Sequence, residues 1–456
     1  MVKPPRHWRT ILAWALLLIA ATAFVRRGVT KAGDRLWDFG IIYTSARAWL
    51  VGDDPYAQDA LVRRWADAGG APHMPTDLSW LPAVVAPPTL VAMAPLAALD
   101  PPAARWGWLA ISAASVATLI GATLRLADVS SWPARPTTLL LVAWVLGLGP
   151  LHIGMLAGQP ALPAAALIAA GVACALSRRD VAAGVLFGLA AAFKLQLGVP
   201  FVLLYAYLCR WRVAGAGAIV FALFIAIGLG RIAVAGIERE QWTAHWRTNL
   251  DTAHGAGGPN DYSAANYTRY HLLNLQLPLH AITHSRTAAN AGAAAIFIAL
   301  GLTFVRHTWR PSNDLSPRAP DELLAAAVVA VLCLLPVYHR YYDAAVLVVP
   351  IAWAARHARG GDPLAWPARI TGAILLTFLA PLAVAHLPVR RGLLPTTIDA
   401  NPLWNALVVP HHVYGLLALA GVLLYAMRRA ATHATSNVEA AIDDAGRDIN
   451  AERSAR

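Results

Sequence analysis

The chain has 456 residues, of which 58% are hydrophobic and only 14% charged, with a mean hydropathy of +0.51. Soluble globular domains are nearer a quarter charged, so composition excludes an ordinary soluble enzyme and indicates an integral membrane protein. The net charge of +12 does not point to nucleic acid, because the basic residues cluster in short stretches between apolar runs, as they do where charge orients a chain in a bilayer.

Apolar runs long enough to span or half-span a bilayer occur at 10–25, 84–99, 104–123, 137–154, 159–176, 182–208, 213–235, 288–305, 321–337, 342–355, 367–387 and 410–427. The expected fold is an all-α polytopic membrane protein, a bundle of about twelve transmembrane helices over residues 1–429. A cytoplasmic tail, 430–456, shows no apolar periodicity and is expected to be disordered. Lys3, Arg6 and Arg9 followed by an apolar run and Ala21-Thr22-Ala23 imitate a cleavable signal peptide. The polytopic remainder favours a retained first helix. The run 182–208, interrupted by Lys194, reads as one span or as a two-segment hairpin, and 84–99, with Pro87, Pro88 and Pro95, as crossing or re-entrant. The hairpin and re-entrant forms place Arg125, Arg135, Arg178, Arg179, Arg210 and Arg212 together in the cytoplasm, which the positive-inside rule prefers. Both forms leave 26–83, 236–287, 338–341 and 388–409 outside. The first two of these loops are long and rich in Trp, His, Asp and Asn, which is where function is expected. Cys174, Cys209 and Cys333 lack metal-ligand spacing and read as small core residues.

In the first outer loop, the stretch from Trp37 to Tyr56 places Phe39, Ile42, Tyr43, Ala46, Trp49 and Leu50 on one helical face. Asp38 and Ser45 share a more polar flank, and Gly52 with Pro55 supplies the stop. An amphipathic helix at the membrane surface is expected, carrying Asp38 as a general base or, more blandly, as a helix N-terminal carboxylate. Asp34, Asp53 and Asp54 compete with it; the latter two precede Pro55 and read as turn residues. Gln159 opens a span behind Gly158 and is either an interfacial cap or a hydrogen-bond donor to sugar or phosphate. Lys194 is the one basic residue well inside an apolar run, a functional candidate unless it snorkels to the interface. The cluster from Pro336 to Asp343 is either an aromatic turn at headgroup level or a phosphate site, with His339 and Arg340 as donors and Asp343 holding either. In 236–287, Trp242, Trp246, Arg247, Asn249, Asp251, His254, Asn260, Tyr262, Asn266 and Arg269 suit sugar binding by composition alone. His411-His412, without acidic partners nearby, reads as interfacial. There is no phosphate-binding glycine loop, HExxH, GxSxG, paired CxxC, or DxD pair in a metal-site setting, and no metal or cofactor is expected.

Asp38-Phe39, Tyr43, Ala46, Gly52 and Asp54-Pro55-Tyr56 resemble the start of the polytopic DUF2029 proteins, classed as glycosyltransferase family 87. Pro87 to Leu99, Trp106, Gly158-Gln159, and the Lys194 run ending in Arg210-Trp211-Arg212 continue that resemblance in order, over roughly residues 10–360. Pro160 departs from it, standing where a small polar residue would be expected. The resemblance implies a GT-C bundle in the inner (plasma) membrane, its active site on the extracytoplasmic face. It implies sugar, mannose above arabinofuranose, taken without a metal from a polyprenyl-phosphate donor and passed to a lipid or glycan acceptor. The base then maps onto Asp38 and a donor-side histidine onto His339. Arg340, with Lys194, would meet the leaving phosphate, and Tyr43, Tyr56, Gln159 and Asp343 would bind and orient the sugar or acceptor. A transporter or flippase of lipid-linked saccharides, and a diphosphate-dependent O-antigen-type ligase or polymerase, are the alternatives.

Overall fold

The computed structural model describes residues 7–67, 81–129, 135–308, 321–380 and 401–454, with 389, 391–395 and 397–398 between the last two. The chain folds as a helical bundle. Its only extended pairings among the described residues are the isolated bridges Leu148–Leu379 and Leu272–Arg340.

Helix α1 (His7–Phe24) passes through a π-turn (Val25–Val29) into α2 (Thr30–Arg35). The segment that follows folds as α3 (Trp37–Val51) and α4 (Gln58–Asp67). The expected stop is observed, with Gly52 in the left-handed region at φ 90° closing α3. The expected one-sided amphipathic helix is not. Asp38, Thr44 and Ser45 are buried along with Phe39, Ile42 and Tyr43, so α3 is enclosed on nearly every side. One of its two tryptophans is used inside the fold, where Trp49 Nε1 donates to the carbonyl of Gly228 at 2.9 Å.

Beyond it come α5 (Pro87–Ala97), α6 (Pro101–Leu126), α7 (Pro136–Gly147), α8 (Gly149–Ala157) and α9 (Ala161–Leu176). The run expected to be continuous over 137–154 is split at Leu148, which is extended (φ −63°, ψ 119°). Pro150, two residues on, has no N–H for a continuing helix. The run 182–208 becomes a tight pair, α10 (Asp180–Phe193) and α11 (Leu195–Tyr207), with extended Lys194 between them (φ −152°, ψ 95°). A Cβ on Gly198 would lie 2.1 Å from the backbone nitrogen of Ala191, so only glycine lets the two helices approach this closely.

The remaining helices are α12 (Trp211–Val234), α13 (Arg239–His254), α14 (Gln276–Thr283), α15 (Arg286–Thr308) and α16 (Glu322–Leu332). They are followed by α17 (Val348–His357), α18 (Ala365–Leu375) and α19 (His411–Ser454). The last of these runs to Ser454 through an alanine-rich stretch of good helix formers. Among the described residues, five stretches are long and apolar enough to cross a membrane: His7–Ala32, Pro101–Leu126, Trp211–Val234, Arg286–Thr308 and His411–His433. Six shorter apolar helices, including α5, α10, α11 and α16, accompany them.

Polar contacts collect at the two ends of α10. At its Asp180 end, Arg210 donates to Glu322 (2.7 and 2.9 Å) and Asp180 (2.5 Å), Arg178 reaches Glu322 at 3.3 Å, and Arg125 binds Ser177 at 2.8 Å. This ionic clamp joins the turns before α10 and α12 to the start of α16. Fourteen residues of helix put the other end of α10 about 20 Å away, and the cavity described next lies there. Other readings are corrected by packing. His412 is buried against Tyr341 (4.6 Å) and Phe378 (5.1 Å) rather than interfacial, and Cys209 is exposed rather than in the core.

Candidate active site

A cavity of about 280 Å³ opens where α3, the approach to α5, the α10–α11 turn, α13 with the turn after it, and the stretch 338–342 converge. It is close to the lower size limit of small-molecule pockets, about 300 Å³. Asp38, Ile41 and Ile42 line it from α3, and Gln159 and Pro160 from the turn after α8. Lys194, Leu195 and Gln196 come from the helix break, Trp246 from α13 and Asn260 from the turn after it. Tyr338, Arg340 and Tyr342 close the wall.

Asp38 sits in the first turn of α3, where the helix N-terminus favours negative charge. The residue is only 6% exposed, and its Oδ2 has no hydrogen-bond partner among the described residues. Burial pushes its carboxyl above the usual carboxylate range, against a hydrogen bond from Gln159 and the charges of Arg340 and Lys194, which pull it down. A raised carboxyl with one oxygen left open, facing a cavity, is what a general base requires. Gln159 reaches it because Gly158 ends α8 at φ +71°, and a Cβ there would stand 2.7 Å from that of Phe39.

Lys194 owes its position to the helix break. The interruption frees the carbonyls of Ala192 and Phe193, and the Thr89 hydroxyl donates to them at 3.0 and 3.5 Å. The Lys194 ammonium then bonds Asp343 Oδ1 at 2.5 Å and lies 4.7 Å above the ring of Tyr342. Asp343 is fully buried; its other oxygen accepts from the Arg340 backbone N–H (3.1 Å) and contacts His339 Nδ1 (3.0 Å). Asp343 therefore ties a lysine, a histidine and the backbone of an arginine into one unit. The unit is anchored from behind, where Leu273 N–H donates to the His339 carbonyl (2.9 Å) and Gln276 Nε2 to that of Pro336 (2.9 Å).

Arg340 turns its guanidinium towards the loop after α13, donating from Nη2 to the Pro259 carbonyl at 2.6 Å, while its Nε is buried with no partner among the described residues. That loop is organised by Asp261. Its carboxylate accepts from Gly257 N (2.9 Å), from Ser263 N (3.0 Å) and Oγ (2.5 Å), and from Arg286 Nη2 (2.8 Å). Burial opposes the charge of Asp261, but the Ser263 and Gly257 bonds and Arg286 outweigh it and hold the carboxyl below its ordinary range. Helix α13 is fixed by Asn249, whose amide donates to the carbonyls of Tyr56 (2.9 Å) and Ala83 (3.0 Å).

Of the residues singled out from sequence, Asp38, Gln159, Lys194 and Arg340 meet on the cavity wall. His339 and Asp343 do not line it; they lie fully buried behind it. Tyr43 and Tyr56, expected to orient a sugar, are elsewhere. Tyr43 donates to the Leu99 carbonyl (2.8 Å), and Tyr56 donates to that of Val85 (3.0 Å) while packed between Trp242 and Trp246. Each hydroxyl satisfies a backbone acceptor, so both are scaffold for the wall rather than part of it. Thr89 carried no sequence signal. Tyr338 and Tyr342 stood in the polar-aromatic cluster, and Trp246 and Asn260 in a loop of suggestive composition, but nothing in their spacing showed that they converge.

The model of glycosyltransferase family 87 matches residues 84–336. No curated protein and no solved structure matches the chain. The matched stretch contains Gln159, Lys194, Trp246 and Asn260, whereas Asp38, His339, Arg340 and Asp343 fall outside it. Most of the cavity lining thus falls inside the matched region, although of its charged residues only Lys194 does, and because that region is more than half of the sequence, the chain belongs to glycosyltransferase family 87 and is a membrane glycosyltransferase.

Proposed function

We propose that the protein moves a sugar, with mannose the first candidate, from a polyprenyl-phosphate donor to a hydroxyl of a lipid or glycan acceptor. The reading includes a bundle of about twelve crossings, with the cavity on the extracytoplasmic face of the cell membrane. The observation that carries it is the placement of Asp38, with a free carboxylate oxygen, on the same cavity wall as the cations Lys194 and Arg340.

The acceptor oxygen attacks the anomeric carbon and its proton passes to Asp38. The bond from that carbon to the phosphate oxygen breaks, and the electron pair leaves with the polyprenyl phosphate. Lys194 and Arg340 meet the negative charge that develops there. Attack opposite the leaving phosphate inverts the anomeric configuration. His339 and Asp343, behind the wall, hold Lys194 and the Arg340 backbone in place rather than touching substrate. The lipid chain of the donor supplies much of its affinity by apolar burial.

A carrier for lipid-linked saccharides is the second reading, favoured by the broken helix at Lys194 and its buried ion pair. The deciding experiment is transfer of radiolabelled mannose from polyprenyl-phosphate-mannose in membranes holding the wild type or Asp38→Asn, with a lipid and glycan extract as acceptor. Transfer that disappears in the variant supports the enzyme and its base. Full transfer by the variant removes Asp38 from that role, and a requirement for a diphosphate donor would mean a ligase.

A further inference from the structure

The Lys194–Asp343–Arg340 side of the cavity has charges for a phosphate, but a transferase must also hold a sugar ring, and the two tyrosines expected to do so are turned into scaffold. We propose that Trp246, with Asn260, forms a saccharide-stacking subsite in the cavity wall; this rests on reading that cavity as the place of transfer.

Trp246 lies on α13, where Trp246, Asn249 and Ala253 recur at i, i+3 and i+7 and so share one helical face. Trp246 and Ala253 line the cavity, while Asn249 fixes that face by its two bonds to the Tyr56 and Ala83 carbonyls. The indole is therefore held from both sides, by the helix and by the Tyr56 ring at 6.3 Å. Its Nε1–H is buried with no hydrogen-bond acceptor among the described residues. A buried indole N–H normally finds a partner, and a sugar hydroxyl would supply one while the C–H face of the ring packs on the aromatic surface.

Asn260 reaches the same wall because the backbone folds back on α13, its N–H donating to the Ala253 carbonyl at 2.8 Å. Its side chain is 6% exposed and on the cavity wall. An amide that both donates and accepts is suited to a sugar hydroxyl. The preceding carbonyl, of Pro259, is the one that receives Arg340, so the sugar wall and the phosphate wall share a single hydrogen bond and are held at fixed spacing. The ligand class is a neutral pyranose or furanose ring, from donor or acceptor.

The test uses the full-length protein in lipid nanodiscs, free of sugar-based detergent, with methyl α-D-mannopyranoside and methyl α-D-arabinofuranoside as probes. Saturation-transfer NMR should show magnetisation passing from the protein to the ring protons of at least one probe. Trp246→Ala should abolish it and Trp246→Phe, which keeps a ring but lacks the N–H, should weaken binding roughly tenfold. Displacement of the probe by polyprenyl-phosphate-mannose would put the donor's sugar on Trp246, and persistence beside it the acceptor's. No saturation in the wild type, or equal saturation in Trp246→Ala, would overturn the subsite. Should Trp246→Ala not fold, unchanged binding by Trp246→Phe at an unaltered unfolding midpoint would overturn it equally. The readout involves no transfer, so a protein that binds the probes but transfers from no polyprenyl-phosphate sugar would retain the subsite and lose the proposed reaction.

Discussion

Lys194 and Asp343 form a buried ion pair, with 10% and 0% of their side chains exposed, and breaking it from one side should cost far more than removing it altogether. In Asp343→Asn, the amide oxygen can take the place of Oδ2 and keep the His339 and Arg340 contacts, but the NH₂ group then faces the Lys194 ammonium, donor against donor. In Lys194→Met, Asp343 Oδ1 loses the only partner it has there. A buried charge stripped of its partner costs about 3–5 kcal/mol. Because Lys194 borders a cavity, the lower end is expected, about 3 kcal/mol for each single variant. In the double variant no charge remains on either side. The residual defect is one amide NH₂ beside a thioether, about 1–3 kcal/mol.

The sum of the singles, about 6 kcal/mol, should therefore exceed the double by about 3–5 kcal/mol. Unfolding of the four proteins in mixed micelles, followed by tryptophan fluorescence against denaturing detergent, measures this cycle. Transfer should remain lost in the double, since the cation is gone even though the fold has recovered. Additive losses within about 0.5 kcal/mol would refute the coupling, and with it the view that Asp343 positions Lys194.

Three further outcomes are expected. With Asp38 as base and its carboxyl raised by burial, the acid limb of the transfer rate should lie above the ordinary aspartate range near pH 3.9, and a limb at or below it would argue against Asp38. A raised folded-state pKa also means that the Asp38 contribution to stability is lost as pH rises through it, so Asp38→Asn should raise the unfolding midpoint at neutral pH while lowering transfer by about 10²–10⁴-fold. Gly158→Ala, forced into φ +71° with its Cβ 2.7 Å from that of Phe39, should cost about 1–3 kcal/mol and shift Gln159, measurable as lost stability together with lost transfer. The depressed carboxyl of Asp261 contributes stability above its unfolded value and loses it as pH falls through the folded value, so the loop should loosen only below about pH 4. Asp261→Asn should show faster amide exchange across 257–266 at neutral pH and little further change on acidification.

The apolar runs were legible because hydropathy alone marks them, and the break at Lys194 was legible because a cation inside such a run is costly. The break at Leu148 was hidden, since one proline does not say whether a helix kinks or divides. Asp38 and the Pro336–Asp343 cluster stood out as polar groups in apolar surroundings, and they do meet at or just behind one wall. What sequence could not give was direction. Tyr43 and Tyr56 have the chemistry of sugar ligands, yet their hydroxyls are consumed by the carbonyls of Leu99 and Val85, which depends on a chain path no local pattern encodes. Helix α3 misled for a related reason. Its apolar stripe is real, but the polar flank is also covered, so the periodicity of one face did not reveal the fate of the other.

Unpartnered buried atoms are not by themselves a mark of function here. The Tyr205 hydroxyl and the Trp353 Nε1 lack hydrogen-bond partners among the described residues as well, and neither is on the cavity wall. What separates the candidate site is convergence. Asp38 Oδ2, Arg340 Nε and Trp246 Nε1 are three orphaned groups of different chemistry, an acceptor, a cationic donor and a neutral donor on an aromatic surface, all belonging to residues of one cavity. Each is held in place by its neighbours: Gly158 and Gln159 for the first, the Pro259 carbonyl for the second, Asn249 for the third. Orphaned groups gathered around one cavity place the deficit where a ligand can fill it. The deficit matches, group by group, a proton to be taken, a phosphate to be met and a sugar ring to be held.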